Sequence, residues 1–465
     1  VKSLFEKINM RLNAQGGFLK AVSVLVGGTA FAQGLAIIAL PFITRLYSPS
    51  DFSIFAVYAS ILGIVTVASC LRFEIAIPIP SEDEEAAILV ILALISNLAI
   101  SILTGLLIWV FHVEIISLLK KPNFNHIIWL IPLGVFFSGI YTALQYWATR
   151  KKNFTVIART RVVQSISGVA TQIILGFWGT AALGLALGQI IKVSFGIGKL
   201  AKNFWKESEV FIRNITIIKL YNVFKKNDQF PKYSTLDSLA NSAGAQLPII
   251  IIATLALGSE AGYLMIAMQV LAVPIQLIGG AVSQVYLAHA PAAVQEKTIA
   301  HYTTNILENL FKYGVSSLIF IGLVSPILAK YIFGYEWEKV GLIISWMIPW
   351  FAFQLIASPI SMIMHIVGRQ KQMLLLTLTG FILRIGILYG QFYLNPTYLL
   401  EAYAISGGIF YGICYIVFSN SAGLEVKDHI LLVKKVGFLL IFITSLGVMV
   451  NITYHIVIQY IVIKV

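Results

Sequence analysis

The sequence predicts an all-α polytopic membrane protein with two pseudo-symmetric six-helix lobes around a central cavity and one extra C-terminal helix. Three observations support this. Hydrophobic residues fill 58% of the 465 positions and charged residues 11%, with a mean hydropathy of +0.87; so little polar surface cannot cover so much apolar mass in water. The apolar residues fall in runs near the roughly 20 that a helix needs to cross hydrocarbon. The alternating ten-residue pattern of a membrane barrel is absent, which leaves helices to satisfy the backbone in lipid. Finally, the two halves echo each other. Trp129-Leu-Ile-Pro132 and Trp346-Met-Ile-Pro349 each read as the opening of a long helix with a basic exit, at Arg150-Lys-Lys152 and Arg369-Gln-Lys371. Ser50-Asp51-Phe52-Ser53 and Ser259-Glu260-Ala261-Gly262 each read as a turn between spans.

Taken in order, the chain starts with Leu4, Phe5, Ile8 and Leu12 on one face and Lys2, Lys7 and Arg11 elsewhere, a pattern suited to an anionic membrane surface. The apolar run at about 18–44 is too long for the core of a cleavable signal and reads as a retained helix. Spans follow near 52–78, 86–111, 127–148, 155–177 and 181–199, which completes an N-lobe over 1–199. A basic cytoplasmic linker, 200–234, carries Lys202, Lys206, Arg213, Lys225, Lys226 and Lys232. The C-lobe, 235–419, has spans near 235–257, 262–286, 312–333, 341–366, 373–394 and 398–419. Pro274 and Pro291 predict a bent eighth helix, and the polar stretch between His289 and Asn309 a surface helix after it. In the remainder, 420–465, the apolar stretch at about 436–460 is either a thirteenth span or a shorter one followed by a re-entrant tail broken near Asn451.

Placing the N-terminus in the cytoplasm puts most of the 33 Lys and Arg on that side, as the positive-inside rule requires. The net charge of +13 then needs no nucleic acid. With six helices per repeat, equivalent elements run parallel, so the pseudo-symmetry axis lies along the membrane normal. Two lobes rocking about a shared cavity is carrier geometry.

Charge inside the hydrocarbon is the most informative polar feature, because an Arg at a helix centre costs about 2.5–3.5 kcal/mol even on insertion scales. Arg384 lies halfway along the eleventh span and should face a water-filled cavity or a structural partner. Arg72 and Glu74, near the end of the second span, are separated by two positions and should point to different faces, toward another helix or a ligand. Asp237 and Asn241 form a polar stripe on the seventh span, followed by Gln246 and Pro248, where a bend frees a carbonyl. Arg45 can neutralise the C-terminal carbonyls of the first span. Glu82, Asp83, Glu84 and Glu85 read as an N-terminal charge cluster, and Gly184-x-x-x-Gly188 as packing. Cys70 and Cys414 sit in apolar context as buried thiols. Histidines and cysteines lack HxxxH or CxxC spacing, so no metal site is expected.

Specific phrases carry a resemblance. Leu40-Pro-Phe-Ile-Thr-Arg-Leu-Tyr-Ser-Pro-Ser-Asp-Phe52, then Leu71-Arg-Phe-Glu-Ile-Ala-Ile-Pro78 and Glu82-Asp-Glu-Glu-Ala86, resemble the polysaccharide-repeat-unit flippases of Wzx type; so do Gln246-Leu-Pro-Ile, Gly262-Tyr-Leu-Met-Ile-Ala, Pro274-Ile-Gln-Leu-Ile-Gly and Gln284-Val-Tyr-Leu. The resemblance implies membership of the multidrug/oligosaccharidyl-lipid/polysaccharide exporter superfamily and a bacterial inner-membrane transporter rather than an enzyme. Its cargo would be an undecaprenyl-pyrophosphate-linked oligosaccharide, moved by alternating access from the cytoplasmic to the periplasmic leaflet for O-antigen, lipopolysaccharide or related surface polymers. Polymerase and chain-length proteins would be pathway partners. On this reading Arg72, Arg384 and Arg45 form a cationic cavity for the pyrophosphate. No cofactor is implied. A proton gradient, a sodium gradient or the membrane potential could drive the step, with Glu74, Asp237, Asn241 and Gln246 as coupling or gating positions. Two alternatives stand beside it. A drug/cation antiporter of the same superfamily would want buried carboxylates, and a polysaccharide polymerase or glycosyltransferase a large outward loop with catalytic residues.

Overall fold

A computed structural model describes residues 17–256 and 258–464; the amphipathic stretch at 4–12 lies outside them. Eleven helices among the described residues are long and apolar enough to cross a membrane, judged by length and composition. The chain divides into two compact units, 1–250 and 251–465.

The first unit contains α1 (Gly17–Leu46), α2 (Pro49–Ala68), the single turn α3 (Phe73–Ala76), α4 (Asp83–Val110), α5 (His112–Leu119), α6 (Leu130–Arg150), α7 (Phe154–Phe177), α8 (Ala182–Ser194), α9 (Ile197–Arg213), α10 (Ile217–Lys226) and most of α11 (Thr235–Leu255). The Ser-Asp turn before α2 is a capping box. Ser48 Oγ accepts from the Asp51 N–H (3.2 Å), the Asp51 carboxylate accepts from the Ser48 N–H (2.9 Å), and Pro49 opens the helix.

The sequence expects one helix over 52–78, but α2 ends at Ala68. Leu71 and Arg72 take left-handed backbone conformations, with φ of 48° and 62°, and the chain restarts as α3. Hydroxyl back-bonding loosens the end of α2, from Thr66 Oγ1 to the Leu62 carbonyl (2.6 Å) and from Ser69 Oγ to the Thr66 carbonyl (2.9 Å). Beyond the break, Arg150 at the end of α6 donates to the Ile77, Pro80 and Ser81 carbonyls and to Asp83. These bonds fix a loop that Pro78 and Pro80 would keep out of a helix.

α6 and α7, read as the fourth and fifth spans, are helices of 21 and 24 residues but are not among the eleven. Asn97 of α4 is fully buried and donates to the Phe136 carbonyl of α6 (2.8 Å); a Cβ on Gly139 would land on that amide. Ala86, Ala87, Ala93, Ala143 and Ala148 let α4 and α6 close around Phe73, Trp147 and Phe204. Gly184 and Gly188 lie against Tyr47, Thr180 and Gln172, which makes that spacing a packing contact.

The sequence reads 200–234 as a linker and begins the C-lobe at 235. By its contacts this stretch, and α11 up to residue 250, group with the first unit. Leu200 and Phe204 of α9 pack into its core, and Ser242 of α11 donates to the Gly63 carbonyl of α2 (3.0 Å).

The second unit contains α12 (Glu260–Pro274), α13 (Gly280–Gln295), α14 (Ile299–Asn309), α15 (Ser316–Phe333), α16 (Glu338–Ile360), the turn α17 (Ile363–Ile366), α18 (Gln370–Leu394), α19 (Leu399–Ser421) and α20 (Val426–Lys464). A wider turn at Ile275–Gly279 joins α12 to α13, and another at Leu310–Val315 joins α14 to α15. α14 is therefore no separate surface helix but the first part of a 35-residue run, Ile299–Phe333. Trp346 also departs from expectation, since it lies inside α16 instead of opening it; Trp129, by contrast, does cap α6.

Glycines and serines bring α15 and α16 together. Ser325 Oγ donates to the Gly341 carbonyl (2.9 Å) and Ser345 Oγ to the Gly322 carbonyl. α20 continues unbroken through Asn451, whose amide donates to the Leu323 carbonyl of α15 (3.2 Å). That bond removes the reason to expect a re-entrant break there.

Candidate functional site

The most distinctive polar site in the second unit forms where α16, α18 and α19 meet. Glycine creates the space: a Cβ on Gly380 of α18 would fall on the Phe410 ring, and one on Gly407 of α19 on Trp350. One turn beyond Gly380, the Arg384 guanidinium lies 4.7 Å from the Phe410 ring centre, 5.1 Å from Trp350 and 5.6 Å from Tyr411. Tyr403 closes the box edge-on to Trp350 at 5.1 Å.

Ring faces stabilise a desolvated cation by about 2 kcal/mol, but they accept no directed hydrogen bond in its plane. Arg384 Nε and Nη2 and Trp350 Nε1 are buried and lack hydrogen-bond partners among the described residues. The box thus holds one cation, hydrogen-bonded to Tyr411, beside three nitrogens whose N–H groups are unused. A planar guanidinium of this kind takes a phosphate or carboxylate bidentately.

Arg72 and Glu74 meet each other, contrary to the expectation from their spacing. Because the helix breaks at 69–72, the two-residue separation no longer sends them to opposite faces, and Arg72 Nη1 lies 3.4 Å from Glu74 Oε1. Arg72 Nε and Glu74 Oε2 remain buried without hydrogen-bond partners among the described residues. Glu74 is 3% exposed, and burial raises its pKa, with Arg72 opposing the shift.

The remaining predicted positions do not join this pair. Arg45 is exposed and donates to the Pro41 carbonyl of its own helix (2.8 Å). On α11, Asp237 and Asn241 are exposed, and Gln246 lies beside Gly63 of α2.

Sequence reasoning missed Lys192 and Trp350. Lys192 sits ten residues into α8 and packs its stem over Gly168 of α7; its place inside an apolar run was the available signal. Trp350 directly follows the repeated Trp-Met-Ile-Pro phrase, yet its role depends on α18 and α19. Arg161, on α7, bonds Thr29 Oγ1 at 2.6 Å.

A family model described as polysaccharide biosynthesis protein matches residues 42–342. No curated protein matches the chain. The chain is similar in fold to the lipid II flippase MurJ in an inward closed conformation, with TM-score 0.65, 16% identity, and 93% of this chain and 99% of that one covered. It is also similar to a multidrug resistance MATE family transporter of the MOP superfamily in an inward-facing conformation, with TM-score 0.61, 15% identity, and 87% and 94% coverage. A third similar structure is a MOP superfamily transporter from Pyrococcus furiosus, described as having a binding pocket of reversed polarity, with TM-score 0.50, 14% identity, and 87% and 96% coverage.

Proposed function

The chain belongs to the polysaccharide biosynthesis protein family, and from that premise we propose that it is a flippase for undecaprenyl-pyrophosphate-linked oligosaccharide repeat units. It carries them by alternating access from the cytoplasmic to the periplasmic leaflet of a bacterial inner membrane, with its N-terminus in the cytoplasm, for O-antigen or a related surface polymer. The multi-pass helical architecture and the fold shared with MurJ and MATE transporters support transport over enzymatic chemistry.

The observation that carries the substrate class is the Arg384 box, with unused guanidinium donors on a spanning helix. A pyrophosphate cannot cross hydrocarbon unaided. A guanidinium supplies paired charge-assisted hydrogen bonds while the polyprenyl tail stays in lipid. Arg72 is the second cation we assign to the headgroup, and Arg45 a peripheral one. Glu74 is the position we assign to ion coupling, with Asp237, Asn241 and Gln246 in gating. A drug/cation antiporter would want buried carboxylates free to meet its cargo, whereas the buried Glu74 is already paired with Arg72 and the unused donors are those of Arg384.

The test is reconstitution. Proteoliposomes loaded with a lipid-linked oligosaccharide should expose its glycan to an external glycosidase in a protein-dependent manner, and Arg384→Ala should suppress that exposure. Equal flipping by Arg384→Ala at equal incorporation would reject the assignment.

A further inference from the structure

α10 holds to the protein by both charge and apolar contact, and leaves a second apolar side free. Lys219 pairs with Glu84 (2.6 Å) and Lys226 with Glu85 (2.9 Å), both in the first turn of α4, while Val223 packs on the core and the Phe224 ring lies 5.6 Å from that of Phe73. Asn222 and Val223 lie on the same side and line a cleft of about 280 Å³ with those acids. The opposite side presents Ile217, Ile218 and Tyr221, which are 84%, 73% and 62% exposed. Lys225 falls between Tyr221 and Ile218 on that side at 100° per residue. No residue of α10 is buried.

The neighbouring α9 is of the ordinary kind. Leu200, Phe204 and Ser208 face the core, while Lys202 and Lys206 are exposed and unpaired among the described residues, and Trp205 is 61% exposed.

We propose that α10, flanked by the outer lysines of α9, is a membrane-surface anchor that seats on anionic lipid headgroups. An apolar face with an aromatic residue and flanking lysines matches an interfacial helix, which sinks into the headgroup boundary and gains from anionic lipid. A protein partner fits less well, because lysines are depleted at the centres of protein interfaces. The two ion pairs hold α10 to α4, a helix long and apolar enough to span, so the patch stays tied to an element already in the bilayer.

The test uses full-length protein with Cys70→Ala and Cys414→Ala, carrying a nitroxide at Tyr221→Cys, near the centre of the outward face, or, as control, at Asn222→Cys, about 100° round the helix. It is reconstituted into phosphatidylglycerol-containing or pure phosphatidylcholine vesicles, and depth is read from collision with oxygen against a water-soluble nickel chelate. The label at 221 should be shielded from nickel in anionic vesicles, more than in phosphatidylcholine and more than at 222. Substituting Lys202, Lys206 and Lys225 by Gln should reduce that difference. Equal nickel access at 221 and 222 in anionic vesicles would overturn the proposal, as would spin–spin coupling between copies at 221.

Discussion

The Arg384 guanidinium stands 4.7 Å from the centre of the Phe410 ring, in a space that exists because residue 380, one turn earlier on the same helix, has no side chain. The cation and its aromatic seat thus come from three helices, whose approach is set by Gly380 and Gly407. The aromatic box retains the charge, with one hydrogen bond to Tyr411, and leaves Nε and Nη2 unused.

Replacing Arg384 should expose this division of labour. Hydrogen bonds to a charged group are worth about 1.5–3 kcal/mol, so Arg384→Ala should lower flipping about 10- to 100-fold at unchanged protein abundance. Arg384→Lys should recover part of it, since an ammonium keeps the charge but not the fork. Initial rates in proteoliposomes check both.

Gly380→Leu should destabilise the second unit by overpacking, by about 1–3 kcal/mol. Thermal unfolding in detergent should shift down, and adding Phe410→Ala should recover stability without recovering transport.

Glu74 yields a pH prediction. Burial raises its carboxyl above the ordinary value of 4.5, so its contribution to stability is complete below that value and is lost as pH rises through the folded-state pKa. The thermal midpoint of the wild type should therefore fall across that window relative to Glu74→Gln. The two should converge in acid. Parallel curves across the whole range would show that Glu74 does not titrate between folded and unfolded states.

Orientation is checked by labelling. A cysteine at Asn222, on the cleft side of α10, should react with a membrane-impermeant maleimide only after the cells are opened; reaction in intact cells would invert the topology.

Energy coupling has a direct readout. On the proposed reading, export of each negative charge toward a positive exterior gains about 2.3 kcal/mol per 100 mV, so an imposed potential should accelerate flipping, and a proton or sodium gradient should do so where that ion is coupled. Indifference to all three would exclude ion-driven transport.

The sequence alone determined the helical membrane class, most of the span positions and Arg384 as a costly charge, because each depends on residues contiguous in the chain. Apolar runs have to match a bilayer thickness, and a buried charge stands out against them. It misjudged places where distant residues act. The helix breaks after Ala68, where Leu71 and Arg72 turn left-handed, and Arg150 of α6 holds the loop beyond it; the break makes Arg72 and Glu74 partners that helical spacing would have kept apart. At Asn451 the sequence left a full span and a broken one both open, and the Leu323 carbonyl that receives its amide decides for the continuous helix. Trp350 and Phe410 become the seat of Arg384 only when α16, α18 and α19 pack together. Those outcomes belong to the tertiary structure, because a polar group's conformation in a dry interior is set by whichever donor, acceptor or ring packing brings to it, however far along the chain that group lies.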